Sequence, residues 1–177
     1  MATKPKRLCP KVAPRSLLGH PVHWLSFGGG SGLSPYAPGT MGTLITVPVV
    51  YLLFQLGIST YIAVTVLVCL LGIWVSARTA VALGVHDHGS IVIDEVAGFM
   101  LTMTALEPTW LTLTLGFLIF RLLDIWKPWP IRVLDRNLHG GAGIMLDDVL
   151  AGVLGCVAIH GLLWALDLPS HSLLLSS

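Results

Sequence analysis

Apolar residues gather in five runs along this chain, at about 44–57, 60–76, 91–106, 109–123 and 149–166, and polar residues fill the gaps between them. Such runs predict an all-α fold, a multi-pass helical bundle of about five apolar helices. A helix that crosses a membrane needs about 20 apolar residues, and several of the runs are shorter. The first and third either extend into flanking polar residues or are partly re-entrant. Before the first run lies a Gly/Pro/Ser-rich loop, residues 27–43, beginning "FGGGSGLSPYAPGTMG". The expected organisation is a basic arm over 1–25, one domain over 26–168 and a tail over 169–177. There is no internal repeat and no low-complexity tract.

Composition strengthens the membrane reading. The chain has 177 residues, 54% of them hydrophobic and 11% charged, with mean hydropathy +0.82. A soluble domain carries about 25% charged residues. A net charge of +1 points to no nucleic acid or other polyanion as partner. Cys9, Cys69 and Cys156 are far apart and lack metal-site spacing, so they read as reduced and structural. The N-terminus is basic but is followed by Pro, His and Gly, unlike a secretory signal peptide.

Charge placement sets an orientation. With the N-terminus inside, five crossings put 1–43, 77–90 and 124–148 on the cytoplasmic side. All ten Lys and Arg then fall inside or at the inner end of a span, as the positive-inside rule requires. A four-span arrangement breaks this pattern. Seven of the nine acidic residues reach the same face, all but Glu107 and Asp167.

Several groups on that face have candidate chemistry. Asp94 and Glu95 open an apolar segment in "IVIDEVAG", and Asp147 and Asp148 do so in "IMLDDVLAG". Carboxylates in such places cap helices and favour the positive helix end. They also suit a hard cation such as Mg²⁺, and acids at membrane depth are costly enough to imply function. Two such pairs repel unless a cation or basic group sits nearby. Neighbours on a helix point about 100° apart, so one member of each pair is expected to face a shared site.

In "FRLLDIWKPWPIRVLD" the residues Arg121, Asp124 and Lys127 are spaced three apart and share a helix face, with Arg132 and Asp135 following. Pro128 ends that helix near Lys127. Trp126, Trp129 and Arg136 read as interfacial anchors. Asp124 fits a metal, and Lys127 and Arg132 fit a phosphate. The glycine-rich loop offers backbone N–H groups to an anion but lacks the Gly-Lys-Ser/Thr ending of a Walker A loop. An interfacial linker reads equally well. His86 and His88 flank Asp87, and His139 precedes Gly140; each is a metal or acid–base candidate or simply polar loop. His20, His23, His160 and His171 read as structural or exposed, and Met41, Met100, Met103 and Met145 as packing.

The stretches "GSGLSPYAPGTMG", "HDHGSIVIDEVAG" and "FRLLDIWKPWPIRVLDRNLHGGAGIMLDDVLAG", in this order, closely resemble the phosphatidylglycerophosphatase A family of Gram-negative bacteria. The likeness covers about residues 26–155. It implies a Mg²⁺-dependent phosphatase of the bacterial inner membrane that removes the terminal phosphate of phosphatidylglycerophosphate in phospholipid biosynthesis. The lipid is then the partner; no obligate protein partner is evident, and oligomeric state is left open. Some relatives are soluble helical proteins, so a compact bundle pressed into one leaflet is the alternative to clean spans. Asp94, Glu95, Asp124, Asp147 and Asp148 would hold one or two metal ions. Lys127 and Arg132 would neutralise charge. Ser31, Gly32, Ser34, Gly39, Thr40 and His88 would bind substrate, the loop closing over the phosphate. A small ion or proton transporter is the competing class, because buried acids also mark ion pathways. Absence of charge from 44–75 speaks against it. A CDP-alcohol phosphotransferase is disfavoured because its Asp-Gly/Ala-Arg signature is missing.

Overall fold

Every regular element among the described residues is helical. The computed structural model describes residues 10–85, 88–133, 138 and 140–167. His86, Asp87, Asp135, Arg136, His139 and Cys9 lie outside the described residues. The elements are α1 (Pro21–Ser26), α2 (Pro38–Gln55), α3 (Ile58–Leu83), α4 (Ile93–Thr102), α5 (Trp110–Trp126) and α6 (Gly140–Ala165), with 3-10 turns at Pro14–Leu17 and Gly28–Leu33.

Of these, α2, α3 and α6 are long and apolar enough to cross a membrane. The 17 residues of α5 span about 25 Å at 1.5 Å each. Helix α4, with 10 residues, covers about 15 Å, half of a hydrocarbon core of about 30 Å. Its environment explains how so short a helix persists. It packs against α2, α3, α5 and α6, and Ala97, Gly98, Phe99, Met100 and Thr102 are buried. The irregular chain after it is also enclosed, with Met103 and Leu106 buried. Non-helical backbone is tolerated at membrane depth only where protein surrounds it.

Helix boundaries move outward from the apolar runs at two places. Helix α2 begins at Pro38, whose fixed φ suits the first helical turn, after Ala37 in the left-handed region (φ 44°). Helix α6 begins at Gly140 rather than near 149. Asp147 and Asp148 therefore lie two turns inside a helix and do not open one, contrary to expectation. The cause is the small-residue segment Gly140–Gly143, which runs close against α3. A Cβ on Gly141 would come within 2.0 Å of the Ile73 carbonyl oxygen.

Close approach also sets the contact between α4 and α6. A Cβ on Gly98 would sit 2.7 Å from the Asp148 carbonyl oxygen, and one on Gly152 would sit 2.4 Å from the Gly98 carbonyl oxygen. Thr102 lies beside Gly155 further along, so the two helices run in the same direction. Small residues are the usual means of bringing helices together where lipid removes the hydrophobic drive. Four threonine hydroxyls in this interior are satisfied locally: Thr43, Thr46, Thr65 and Thr102 each donate to the carbonyl four residues earlier. Tyr61 Oη donates to the Met100 carbonyl at 2.7 Å, tying the start of α3 to the end of α4. Phe99 packs against Phe117 and Phe120 of α5 with ring centroids 6.3 and 6.4 Å apart.

Gly152→Val is expected to lower stability by about 1–3 kcal/mol or more through overpacking. Gly161→Ala, where a Cβ meets nothing within 4 Å, should leave it unchanged. Thermal unfolding of the detergent-solubilised protein distinguishes the two.

Candidate active site

Three helices deliver acidic or basic groups to one end of the bundle, and a fourth packs against them. The N-terminus of α4 supplies Asp94 and Glu95, the C-terminal end of α5 supplies Arg121, Asp124 and Lys127, and α6 supplies Asp147 and Asp148. The first turn of α2 closes one side: a Cβ on Gly39 would lie 2.1 Å from Glu95 Oε1 and 3.1 Å from Arg121 Nη1. Between them is a cavity of about 200 Å³ lined by Asp94, Glu95, Asp124, Lys127, Asp147 and Asp148, with Gly89 and Gly143 at its walls.

The acidic pairs divide unequally. Carboxylate oxygens of Asp94, Glu95 and Asp148 lie within 4.8 Å of one another. Both members of the first pair thus reach the cluster. In the second pair Asp148 joins the cluster, while Asp147 receives Lys127 Nζ at 2.5 Å. Burial pushes the Asp94 carboxyl well above the usual carboxylate range, and the charges of Glu95 and Asp148 add to that shift. Burial also raises Glu95, opposed by the Asp94 side chain and the Arg121 guanidinium. Asp94 and Glu95 sit in the first turn of α4, where the helix dipole favours negative charge.

Lys127 owes its position to a strained backbone. It caps α5 in the left-handed region (φ 43°), and its N–H donates to the Leu123 carbonyl at 2.9 Å. Pro128 follows and disfavours continuing the helix, as expected. A non-glycine residue held at such a φ costs about 1–3 kcal/mol and is concentrated at functional sites.

Arg121, left out of the expected site residues, braces the site by contacting two of the cavity's carboxylates. Its Nη1 donates to Asp124 Oδ2 at 2.6 Å and lies 3.8 Å from Glu95 Oε1. The spacing of three to Asp124 was the available signal; contact with Glu95 needed the tertiary fold. Arg132 is exposed, with Nη2 at 3.5 Å from the Trp126 carbonyl, and does not line the cavity. His88 Nδ1 accepts from the Ser90 N–H at 3.2 Å, and its neighbour Gly89 borders the cavity. Thr40 is half-buried in the first turn of α2 beside Gly39. Gly32 packs on the Ser90 carbonyl. Ser31 and Ser34 line a separate groove instead of the acidic cavity.

The donor set fits a hard divalent cation. It consists of carboxylate oxygens alone, in mutual reach, and Glu95 Oε2 is buried without a hydrogen-bond partner. A cation bound there would compete with protons for these oxygens.

Among the described residues, an all-helical bundle with three helices of membrane length and a carboxylate cluster flanked by Lys and Arg at one end defines a class: a helical protein compatible with membrane association, with an acidic site at one end of the bundle. The phosphatidylglycerophosphatase A family profile matches residues 24–163. The chain is 49% identical over 159 residues to phosphatidylglycerophosphatase A of Escherichia coli (strain K12), covering 88% of this chain and 92% of that one. It is 42% identical over 145 residues to the protein of the same name from Haemophilus influenzae, covering 81% and 89%. A putative phosphatidylinositol-3-phosphatase of Bacteroides thetaiotaomicron is 35% identical over 148 residues, covering 78% and 91%. No solved structure matches. The chain belongs to the phosphatidylglycerophosphatase A family.

Gly39→Ala is expected to reduce phosphatase activity about 10- to 100-fold by displacing Glu95, because small misplacements of catalytic groups carry costs of that order. Initial rates alongside thermal unfolding check that the loss is in the site and not in the fold.

Proposed function

We propose that the protein is a Mg²⁺-dependent phosphatase that hydrolyses the terminal phosphomonoester of phosphatidylglycerophosphate, yielding phosphatidylglycerol and inorganic phosphate in phospholipid synthesis. The observation that carries this reading is the partly buried cluster of Asp94, Glu95 and Asp148 beside the Lys127–Asp147 pair, in a chain whose relatives bear the name of this activity. A phosphomonoester carries nearly two negative charges at neutral pH, so its site needs cations and donors.

Asp94, Glu95 and Asp148 would hold Mg²⁺, with Asp124 and Asp147 around the same cavity. Bound there, Mg²⁺ supplies positive charge to phosphoryl oxygens and lowers the pKa of a water. The protein's own groups bind and orient. Lys127 places an ammonium at the cavity wall, where charge develops on the phosphoryl group. Arg121 fixes the carboxylates of Asp124 and Glu95 by its contacts to both. Gly39 and Thr40 belong to the first turn of α2, whose N–H groups and dipole favour an anion. Arg132, exposed outside the cavity, meets the lipid headgroup on approach.

The site faces the cytoplasm of the bacterial inner membrane in this reading. Arg121 and Lys127 lie at the site end of α5, and Arg78 lies near the C-terminal end of α3, in keeping with a positive inner side. Four of the six exposed Trp residues fall at the two ends of α5 and α6 or just beyond them: Trp110 and Trp164 at one end, Trp126 and Trp129 at the other. Trp at both ends of a helix of about 25 Å is the pattern of an interfacial aromatic belt. The short α4 then descends inside the protein while its neighbours meet lipid.

Phosphate release from phosphatidylglycerophosphate in detergent micelles tests the proposal. Release should require Mg²⁺, stop with EDTA, and fall at least about 100-fold in Asp148→Asn, as expected when a group acting in the transition state is lost. Undiminished release in EDTA would remove the metal from the mechanism. No release by folded protein would remove the activity.

A further inference from the structure

A second concavity lies on the other side of the α2 N-terminus. It is a groove of about 600 Å³ between the Gly28–Leu33 turn and the first half of α2, within the range of about 300–1,000 Å³ typical of ligand sites. Met41, Leu44, Ile45 and Pro48 form its α2 wall, Leu33 faces them, and Arg15 is its one cation among the described residues. Met41, Leu44 and Ile45 are 41%, 53% and 45% exposed, so the apolar wall is open. The two serines there are engaged locally, Ser31 Oγ donating to the Gly28 carbonyl and Ser34 Oγ to the Tyr36 carbonyl. The groove is thus an apolar trough with one guanidinium.

We propose that this groove seats the phosphatidyl part of the lipid substrate, with an acyl chain along Met41, Leu44, Ile45 and Pro48 and the phosphodiester at Arg15. The proposal rests on the function put forward above and adds how the lipid is held. Three observations carry it. The charge is complementary: a diester anion joined to an apolar chain meets a cation joined to an apolar wall. The wall is continuous with membrane-facing surface, because α2 is of membrane length and exposes Val49 and Leu52 beyond the groove. A chain can therefore enter sideways from the bilayer without crossing water. Finally, the groove adjoins the acidic cavity across one turn of helix. Gly39 abuts Glu95, and Met41, two residues on, lines the groove. A lipid whose two phosphates are joined by a glycerol can place the diester on one side of that turn and the monoester on the other.

The test compares dipalmitoyl phosphatidylglycerophosphate with its acyl-free headgroup, glycerophosphoglycerophosphate. Ile45→Trp, which fills the trough, should lower kcat/KM on the lipid about 10-fold or more, mainly through KM, and leave the headgroup rate unchanged, whereas Arg15→Gln should raise KM for both, because the headgroup keeps the phosphodiester. Retained headgroup hydrolysis also shows that Ile45→Trp folds, and thermal unfolding shows it for Arg15→Gln. Equal loss on both substrates in Ile45→Trp, or no change on either substrate in either variant, overturns the proposal. A binding arm separates its failure from that of the function: phosphatidylglycerol or phosphatidylcholine with a diazirine in the acyl chain is photolysed with the protein in micelles, and the labelled residues are mapped by mass spectrometry. Preferential labelling of 41–48 by the anionic lipid, weakened in Arg15→Gln, supports the groove even if the wild type hydrolyses neither phosphate substrate, in which case only the activity is lost. Equal labelling by both lipids means ordinary boundary lipid and overturns it.

Discussion

Carboxylates packed at the end of an apolar bundle repel one another where screening is poor. At 4.8 Å or less, each ionised pair among Asp94, Glu95 and Asp148 is unfavourable by about 3 kcal/mol or more at an effective dielectric of about 20. The surrounding architecture is organised around containing that repulsion. Arg121 sits between Asp124 and Glu95, Lys127 is bonded to Asp147, and the α4 N-terminus lies behind the first pair. These partners leave Glu95 Oε2 without a hydrogen bond. A bound cation would complete the balance, in keeping with the metal site proposed above.

Holding charges this close requires backbones to come closer than side chains usually permit. Gly39, Gly98 and Gly152 are where they do so. Gly98 and Gly152 bring α4 onto α6 and set Asp94 and Asp148 at one level. Gly39 lets α2 touch Glu95. The packing that stabilises the bundle is therefore the same packing that sets the distances between the acids, and stability and activity are coupled at these positions.

Placement at a membrane surface follows from the same helices. Their outer faces are apolar, their inner faces carry small residues and locally bonded hydroxyls, and their charges collect at one end. In the proposed function the acidic cavity opens where a lipid headgroup lies. The apolar groove on the far side of the α2 terminus offers the rest of that lipid a place one helical turn away.

Much of this was legible in the sequence. Long apolar runs with charges held between them define an all-helical, membrane-compatible protein, because a helix closes its backbone hydrogen bonds within one continuous apolar segment, whereas a membrane β-barrel would need alternating apolar and polar positions. The pairs Asp94–Glu95 and Asp147–Asp148, with Asp124 and Lys127, stand out because charge is so scarce elsewhere. Helix boundaries were less legible: Gly140–Gly143 gives no apolar signal, yet it is helical because it packs on α3. The half-length of α4, the bracing contacts of Arg121, the division of Asp147 to Lys127 and Asp148 to the cluster, and the separation of Ser31 and Ser34 from the acids were all decided in three dimensions. Local sequence determines hydrophobicity, helix stops and the supply of charge, since these depend on near neighbours. Which charges meet depends on the approach and rotation of helices distant in the chain, and only their packing sets those.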